Sequence, residues 1–178
     1  MTDSETTETL LTFKQLLSIP RYRDPMTEYL GEDLLADLEK QVDRGATDLD
    51  TALIADCCVE AIQQGGDVGI SVGWDGNFPG NSGATYVHGD RELGVYVTTS
   101  SDFDPGGPFA SLEDLIDETF AGPIANPEIW SNSVPEETLL EIARRVADWQ
   151  NEGQVYVNDQ LYVCEGKELV LGEERTNE

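Results

Sequence analysis

Positively charged residues are scarce in this sequence. Its 178 residues include 10 lysines and arginines against 36 aspartates and glutamates, which gives a formal net charge of −26. Acidic residues outnumber basic ones along the whole chain, so no single tail accounts for the charge. A surface of this sign repels nucleic-acid phosphates and anionic lipid headgroups. The charge therefore predicts no direct binding to nucleic acid or to membranes, and it favours a basic protein as partner.

Long hydrophobic runs are also absent. No stretch of about 18 apolar residues could span a bilayer, and the N-terminal MTDSETTE lacks the basic region and the apolar core of a secretory signal. We therefore expect a cytoplasmic protein. A hydrophobic content of 39% is nevertheless too high for a disordered chain. The sequence predicts a single domain over 1–178, with a helical part at 1–66, a mixed sheet and helix part at 67–172, and a disordered tail at 173–178.

Cysteine and histidine, from which many metal sites and nucleophile–base pairs are built, are few. The three cysteines are Cys57, Cys58 and Cys164, and their spacing does not match a zinc site. Cys57 and Cys58 lie on the apolar stripe of a predicted helix, which is typical of buried core thiols. The one histidine, His88, lies in a predicted strand, where a structural role is expected. The sequence therefore predicts no metal and no cofactor.

Catalytic motifs are missing as well. The sequence contains no G-x-S-x-G elbow, no Walker-type glycine–lysine motif, no G-x-G-x-x-G and no H-E-x-x-H. Carboxylate pairs such as Asp102/Asp104 and Glu136/Glu137 suit acid–base catalysis, but among 36 acidic residues such pairs arise by chance. These absences lean against an enzyme while leaving that class open.

The period of the hydrophobic residues changes along the chain. Up to Gly66, apolar residues recur at helical spacing in three predicted helices. The second contains Gly31, where a break or kink is expected, and Asp48 or Asp50 is expected to cap the third. Beyond Gly66, short stretches alternate with the period of a strand, and two further helices lie among them, the first of which is expected to be capped by Ser111. The pattern predicts an α+β fold, with N-terminal helices followed by an antiparallel sheet of about five to six short strands and helices packed on at least one face.

The first predicted strand, VGISVGW, has one large apolar face and one nearly bare face. Gly69, Ser71 and Gly73 form the bare face. A closely packed helix or a ligand that approaches the backbone would each explain such small residues, and the helix is the favoured interpretation. Two later segments, SDFDPGGPF and AGPIANPEIWSNSV, are predicted to be irregular because of their prolines. Ser133 and Glu136 then match a capping box at the start of a helix.

The segment GWDGNFPGNSG, residues 73–83, is predicted to connect two strands at the surface. Its side-chain oxygens do not have the spacing or the closing glutamate of a calcium loop, and it lacks the cation of a phosphate site. Trp74 is expected to anchor the strand in the core, with Phe78 free to be exposed. Beside the interpretation as a plain loop, the sequence favours a contact loop for a protein or a sugar, formed by Asp75, Asn77, Phe78 and Asn81.

Three functions fit these observations, and we identify no family whose defining motifs the sequence reproduces. The first is a non-enzymatic acidic protein-binding module, such as an inhibitor or immunity-type protein that engages a basic partner. The alternative is a small-ligand-binding protein or enzyme that uses the 73–83 loop. In the third, the protein is an accessory protein whose acidity serves only salt adaptation or solubility. The sequence predicts no particular oligomeric state.

Overall fold

The computed structural model describes residues 3–46, 48–74, 83–100, 106–120, 124, 126–151 and 153–173. Four helices come first, α1 (Asp3–Leu17), α2 (Pro20–Leu30), α3 (Glu32–Asp43) and α4 (Thr51–Gly65). The strands β1 (Val68–Trp74), β2 (Gly83–Asp90), β3 (Val95–Ser100) and β4 (Gly106–Phe109) follow. The chain continues through α5 (Leu112–Thr119), β5 (Glu128–Trp130), α6 (Glu136–Val146), β6 (Gln154–Val157), β7 (Gln160–Glu165) and β8 (Glu168–Leu171).

Local signals set the boundaries of the N-terminal helices. Gly31 separates α2 from α3 with a φ of 86°, and its amide donates to the Thr27 carbonyl at 2.7 Å, so the predicted break is confirmed. The Asp50 side chain caps α4 by accepting a hydrogen bond from the Leu53 amide at 3.1 Å. Cys57 and Cys58 of α4 are fully buried, as predicted, and burial raises the pKa of the Cys57 thiol to about 12.

The strands form one sheet in the order β4-β3-β2-β1-β5-β6-β7-β8. The α+β class is confirmed, but the described residues contain eight strands where five to six are expected, and β5 and β6 are parallel where the prediction is antiparallel. Two strands come from segments that the sequence predicts to be irregular. The GGPF stretch supplies β4, whose Pro108 is tolerated because β4 is an edge strand. The three residues of β5 are too few to show a period.

Helices pack on both faces of this sheet, but they cover the two faces unequally. Val95 and Val97 of β3 belong to the core of α1 to α4, whereas Tyr96 between them packs with the core of α5 and α6. Because neighbouring side chains of a strand point to opposite faces, the two helix groups lie on opposite sides of the sheet. The second core extends from β1 to β8, while α4 packs only across β2, β3 and β4. On the α4 side, the described helices therefore cover the sheet only at the end formed by β2, β3 and β4.

A buried carboxylate joins the helical part to the sheet. Asp90, at the end of β2, is 2% exposed and accepts hydrogen bonds from the Arg21 guanidinium at 2.6 Å, from the Tyr22 hydroxyl and from the Leu93 amide at 2.9 Å. Burial and the hydrogen bond to Asp90 raise the pKa of Tyr22 to about 12. These contacts tie α2 to the turn between β2 and β3.

Three further expectations concern the C-terminal tail, membrane-spanning helices and the number of domains. The predicted disordered tail, 173–178, lies outside the described residues except for Glu173. Among the helices that the structure describes, none combines the length and the apolar character needed to cross a bilayer. The single domain over 1–178 stays a prediction.

Candidate functional site

The contact loop predicted from the sequence lies outside the described residues, as do all its members, Asp75, Asn77, Phe78 and Asn81. The loop connects Trp74 to Gly83, which are paired across β1 and β2. Trp74 is half-buried rather than a core anchor, and its ring lies over Gly83, where a Cβ would come within 2.7 Å of the indole. The contact loop therefore stays a prediction.

The small-residue face of β1 is open, although its sequence predicts a helix packed against it. A Cβ on Gly69 would meet no atom within 4 Å, and one on Gly73 would meet only the backbone oxygens of Glu128 and Gly83, each at 3.8 Å. The helix prediction is wrong because α4, which precedes β1 in the chain, packs across β2, β3 and β4 instead. In the described part of the chain, no helix covers this side of β1.

Aromatic residues flank this open strip on both neighbouring strands. Ser71 pairs with Tyr86 of β2 and with Trp130 of β5, so these three side chains form one row on the same face of the sheet. Gly73 pairs with Glu128, which in turn pairs with Tyr156 of β6. We call this surface the aromatic face; it comprises Gly69, Ser71, Gly73, Tyr86, Glu128, Trp130 and Tyr156.

The aromatic side chains of this face are open to solvent even though their strands lie inside the sheet. Tyr86 is 45% exposed, Trp130 is 47% exposed and Tyr156 is 37% exposed. By contrast, Ile129 points to the other face and is fully buried. An exposed aromatic side chain forgoes its favourable transfer out of water, so three of them grouped on interior strands need a physical explanation.

The strand charges on this side of the sheet are negative. The described strands contain no lysine or arginine. The strand registers from β5 to β8 place Glu128, Glu165 and Glu168 on the same side of the sheet as the aromatic face. Within the described residues, none of these three carboxylates forms an ion pair. A cationic group that reached the face would therefore meet uncompensated negative charge.

Two serines fix the end of β5 and with it the position of Trp130. The Ser131 hydroxyl donates to the Gly69 carbonyl at 2.5 Å, and the Gly69 amide donates to the Ser133 hydroxyl at 2.8 Å. The predicted capping box is wrong, because Pro135 is the N-cap of α6 and Ser133 bonds to β1 instead. The serine hydroxyls supply the hydrogen bonds that the short β5 does not make with β1.

Catalytic groups are not brought together on this face. His88 pairs with Gly69 and Val97, is half-buried, and has its Nε2 at 3.3 Å from the Thr99 hydroxyl. Burial lowers the pKa of His88 below its usual value. Where the structure describes the chain, no three histidine, cysteine, aspartate or glutamate side chains are grouped so as to hold a metal ion.

Outside the aromatic face, the structure describes one of the two predicted carboxylate pairs and a groove between two helices. Of the carboxylate pairs, Asp102/Asp104 lies outside the described residues, and Glu136 accepts a hydrogen bond from the Tyr162 hydroxyl at 2.8 Å. A groove of about 410 Å³ runs between α5 and α6. Arg145 of α6 lines this groove and forms ion pairs with two residues of α5, with Glu113 at 2.8 Å and with Asp117 at 3.0 Å. This arginine joins the two helices, so the groove offers no unpaired cation among its lining residues.

Sequence reasoning did not find the aromatic face. Tyr86 lies between the buried Thr85 and Val87, and Tyr156 lies between two buried valines, so the period of two indicates that both tyrosines point to the opposite, exposed faces of their strands. However, the sequence does not reveal that β5 lies between β1 and β6. Without that neighbour relation, Trp130 cannot be placed beside Ser71.

Comparison with known proteins assigns no family. The sequence matches no protein-family model, and no curated protein or solved structure shows significant similarity to it. A function must therefore be inferred from the fold and from the aromatic face themselves.

Proposed function

We propose that the protein is a non-enzymatic acidic binding module that engages a basic partner protein, in the manner of an inhibitor or immunity protein. The observation that carries this proposal is the aromatic face, where Tyr86, Trp130 and Tyr156 are exposed beside Glu128, a carboxylate that forms no ion pair with the described residues. A net charge of −26 attracts a basic protein from a distance, and the aromatic side chains provide contact energy at short range. A cytoplasmic location belongs to the same proposal, as does the absence of direct contact with nucleic acid or membranes.

A small ligand seated on β1 is the second candidate. It is favoured by the open backbone at Gly69 and Gly73, where none of the described side chains or helices prevents close approach. The two candidates differ in their response to salt. Complexes that depend on opposite charges weaken as ionic strength rises, whereas a neutral ligand held by stacking does not. In the third hypothesis, the acidity serves only solubility or salt adaptation, and no partner depends on this face.

The test is an affinity pull-down from native lysate at low and high KCl, about 50 mM and 500 mM. The bait is the full chain, and the variants are Trp130→Ala and Glu128→Gln. Tyr29→Ala is the matched control, because Tyr29 of α2 is also 47% exposed but lies away from the aromatic face. Truncating a central tryptophan typically weakens an interface by about 2 kcal/mol or more.

We expect the unchanged chain and Tyr29→Ala to capture the same partner protein at low salt. Trp130→Ala should not capture it. Glu128→Gln should weaken the capture, and high salt should release the partner. A partner captured equally by Trp130→Ala would not use the aromatic face, and this result would refute the proposal. Retention of a small molecule at both salt concentrations, with no protein captured, would favour the second candidate.

A further inference from the structure

The row Tyr86–Ser71–Trp130 has the dimensions of a slot for one side chain. Tyr86 and Trp130 lie on β2 and β5, on either side of β1, so their strands are about 9.5 Å apart. Only Ser71 lies between them, with Gly69 and Gly73 as the next residues along the same face of β1. An α-helix is about 10–12 Å across and would not fit between the two aromatic side chains. A single extended side chain fits there.

The chemistry of the slot favours a positive charge. Glu128 lies diagonally beside Ser71, because it pairs with Gly73 at the next position of this face. The Ser71 hydroxyl has no hydrogen-bond partner among the described residues and is available as an acceptor. Aromatic rings attract cations through their faces, and a carboxylate adds direct attraction. A second copy of this chain is a poor occupant, since it would bring the same negative charges to the face.

Between the two cationic side chains, arginine matches the slot better than lysine. The guanidinium group is planar, less strongly hydrated than an ammonium group, and able to stack on an aromatic ring while it donates hydrogen bonds in its own plane. Those donors would reach the acceptors that this surface offers, the Glu128 carboxylate and the Ser71 hydroxyl. A lysine ammonium group would satisfy the charge but not the stacking.

We propose that the slot between Tyr86 and Trp130 binds an arginine side chain of an extended segment of the partner. This inference rests on the proposed function and names the group that the aromatic face recognises. Tyr86 and Trp130 hold the two sides of the guanidinium group, and Glu128 neutralises its charge.

The test uses three capped peptides of identical spacing that carry four arginines, four lysines or four citrullines. Citrulline keeps the planar shape of arginine without its charge. Binding to the full chain is measured by titration calorimetry at constant ionic strength, because any polycation is attracted to a chain of net charge −26. The variants are Tyr86→Ala, Trp130→Ala and Trp130→Phe, with Tyr29→Ala as the control for an equally exposed aromatic residue off the face.

We expect the arginine peptide to bind about threefold to tenfold more tightly than the lysine peptide, and the citrulline peptide to bind weakest. Tyr86→Ala and Trp130→Ala should each bring the arginine peptide to the level of the lysine peptide, while Trp130→Phe and Tyr29→Ala should keep the preference. Equal binding of arginine and lysine, or a preference that survives Trp130→Ala, would overturn the inference.

Failure of this inference is distinguishable from failure of the proposed function. If a lysate protein depends on Trp130 but the peptides show no preference for arginine, the aromatic face binds a partner by other groups and the arginine slot is refuted. If the preference depends on Trp130 but no lysate protein does, the arginine slot is supported while the basic protein partner is refuted.

Discussion

Replacement of Asp90 is expected to destabilise the fold strongly, because its carboxylate joins α2 to the turn between β2 and β3. In Asp90→Ala, the Tyr22 hydroxyl and the Leu93 amide lose their acceptor, and Tyr22 is fully buried. A buried donor left without a partner costs about 1–3 kcal/mol. The Arg21 guanidinium is half-exposed and can be hydrated once Asp90 is gone, so loss of this ion pair adds less to the destabilisation. We expect the free energy of unfolding to fall by about 2–4 kcal/mol.

The measurement is urea unfolding followed by tryptophan fluorescence, with thermal melting as a second readout. For a chain of this length, the expected loss corresponds to a decrease of roughly 5–15 °C in Tm. Glu39→Ala is the control, because it removes an ion pair with Arg23 whose partners are both about 40% exposed, and such pairs contribute less than about 1 kcal/mol. An Asp90→Ala variant within about 0.5 kcal/mol of the unchanged chain would refute this role of the carboxylate.

The same carboxylate predicts a pH dependence. Burial acts to raise the pKa of Asp90, but the hydrogen bonds from Tyr22, Leu93 and Arg21 outweigh it and hold the pKa below its usual value. Because the pKa is lower in the folded state than the unfolded value of about 3.9, the stabilisation is complete above that value and is lost as the pH falls through the folded pKa. The stability gap between the unchanged chain and Asp90→Asn should therefore narrow below about pH 4. A gap that is unchanged or wider in acid would contradict this assignment.

Two further predictions concern the start of β1 and the overall charge. A Cβ on Gly66 would overlap the Gly89 carbonyl oxygen and lie 2.8 Å from the Ile62 carbonyl oxygen. Gly66→Ala should therefore lower the free energy of unfolding, measured in urea, by about 1–3 kcal/mol. Gly69→Ala is the control, because its Cβ has no atom within 4 Å, and it should lower this free energy by less than about 1 kcal/mol. Similar losses for both variants would contradict the close approach at Gly66. Raising KCl from about 0.1 to 1 M shortens the screening length from about 10 to 3 Å and should raise Tm by roughly 3–8 °C, because repulsion among the carboxylates is relieved. A Tm that does not change or falls would show that repulsion does not limit stability.

The features that the sequence predicts correctly are those that depend on neighbouring residues. Asp50 and Ser111 each cap the helix that follows, with hydrogen bonds to the amides of Leu53 and Asp114. Gly31 breaks its helix because a φ of 86° suits glycine alone. Each of these signals lies within four residues of its effect.

The features that the sequence does not predict depend on contacts between distant segments. Ser133 has the spacing of a helix cap, yet its hydroxyl serves Gly69, 64 residues away in the chain. Pro108 argues against a strand unless that strand is known to lie at an edge. The strip of glycines in β1 suggests a close neighbour, but only the tertiary arrangement decides whether a helix reaches it. The candidate site belongs to this second group, because it combines residues of β1, β2, β5 and β6.

The openness of the aromatic face follows from the size of the sheet rather than from the sequence of any one strand. Eight strands at a spacing of about 4.8 Å give about 34 Å between the edge strands, whereas packed helices lie only about 10 Å apart. Among the described residues, α4 is the only helix that packs across several strands on the side of the aromatic face, and it covers β2, β3 and β4. A strand face that meets only water usually carries polar residues. Here Tyr86, Trp130 and Tyr156 stand where the helical cover ends, and this placement is what a surface selected for binding, rather than for solubility alone, would have.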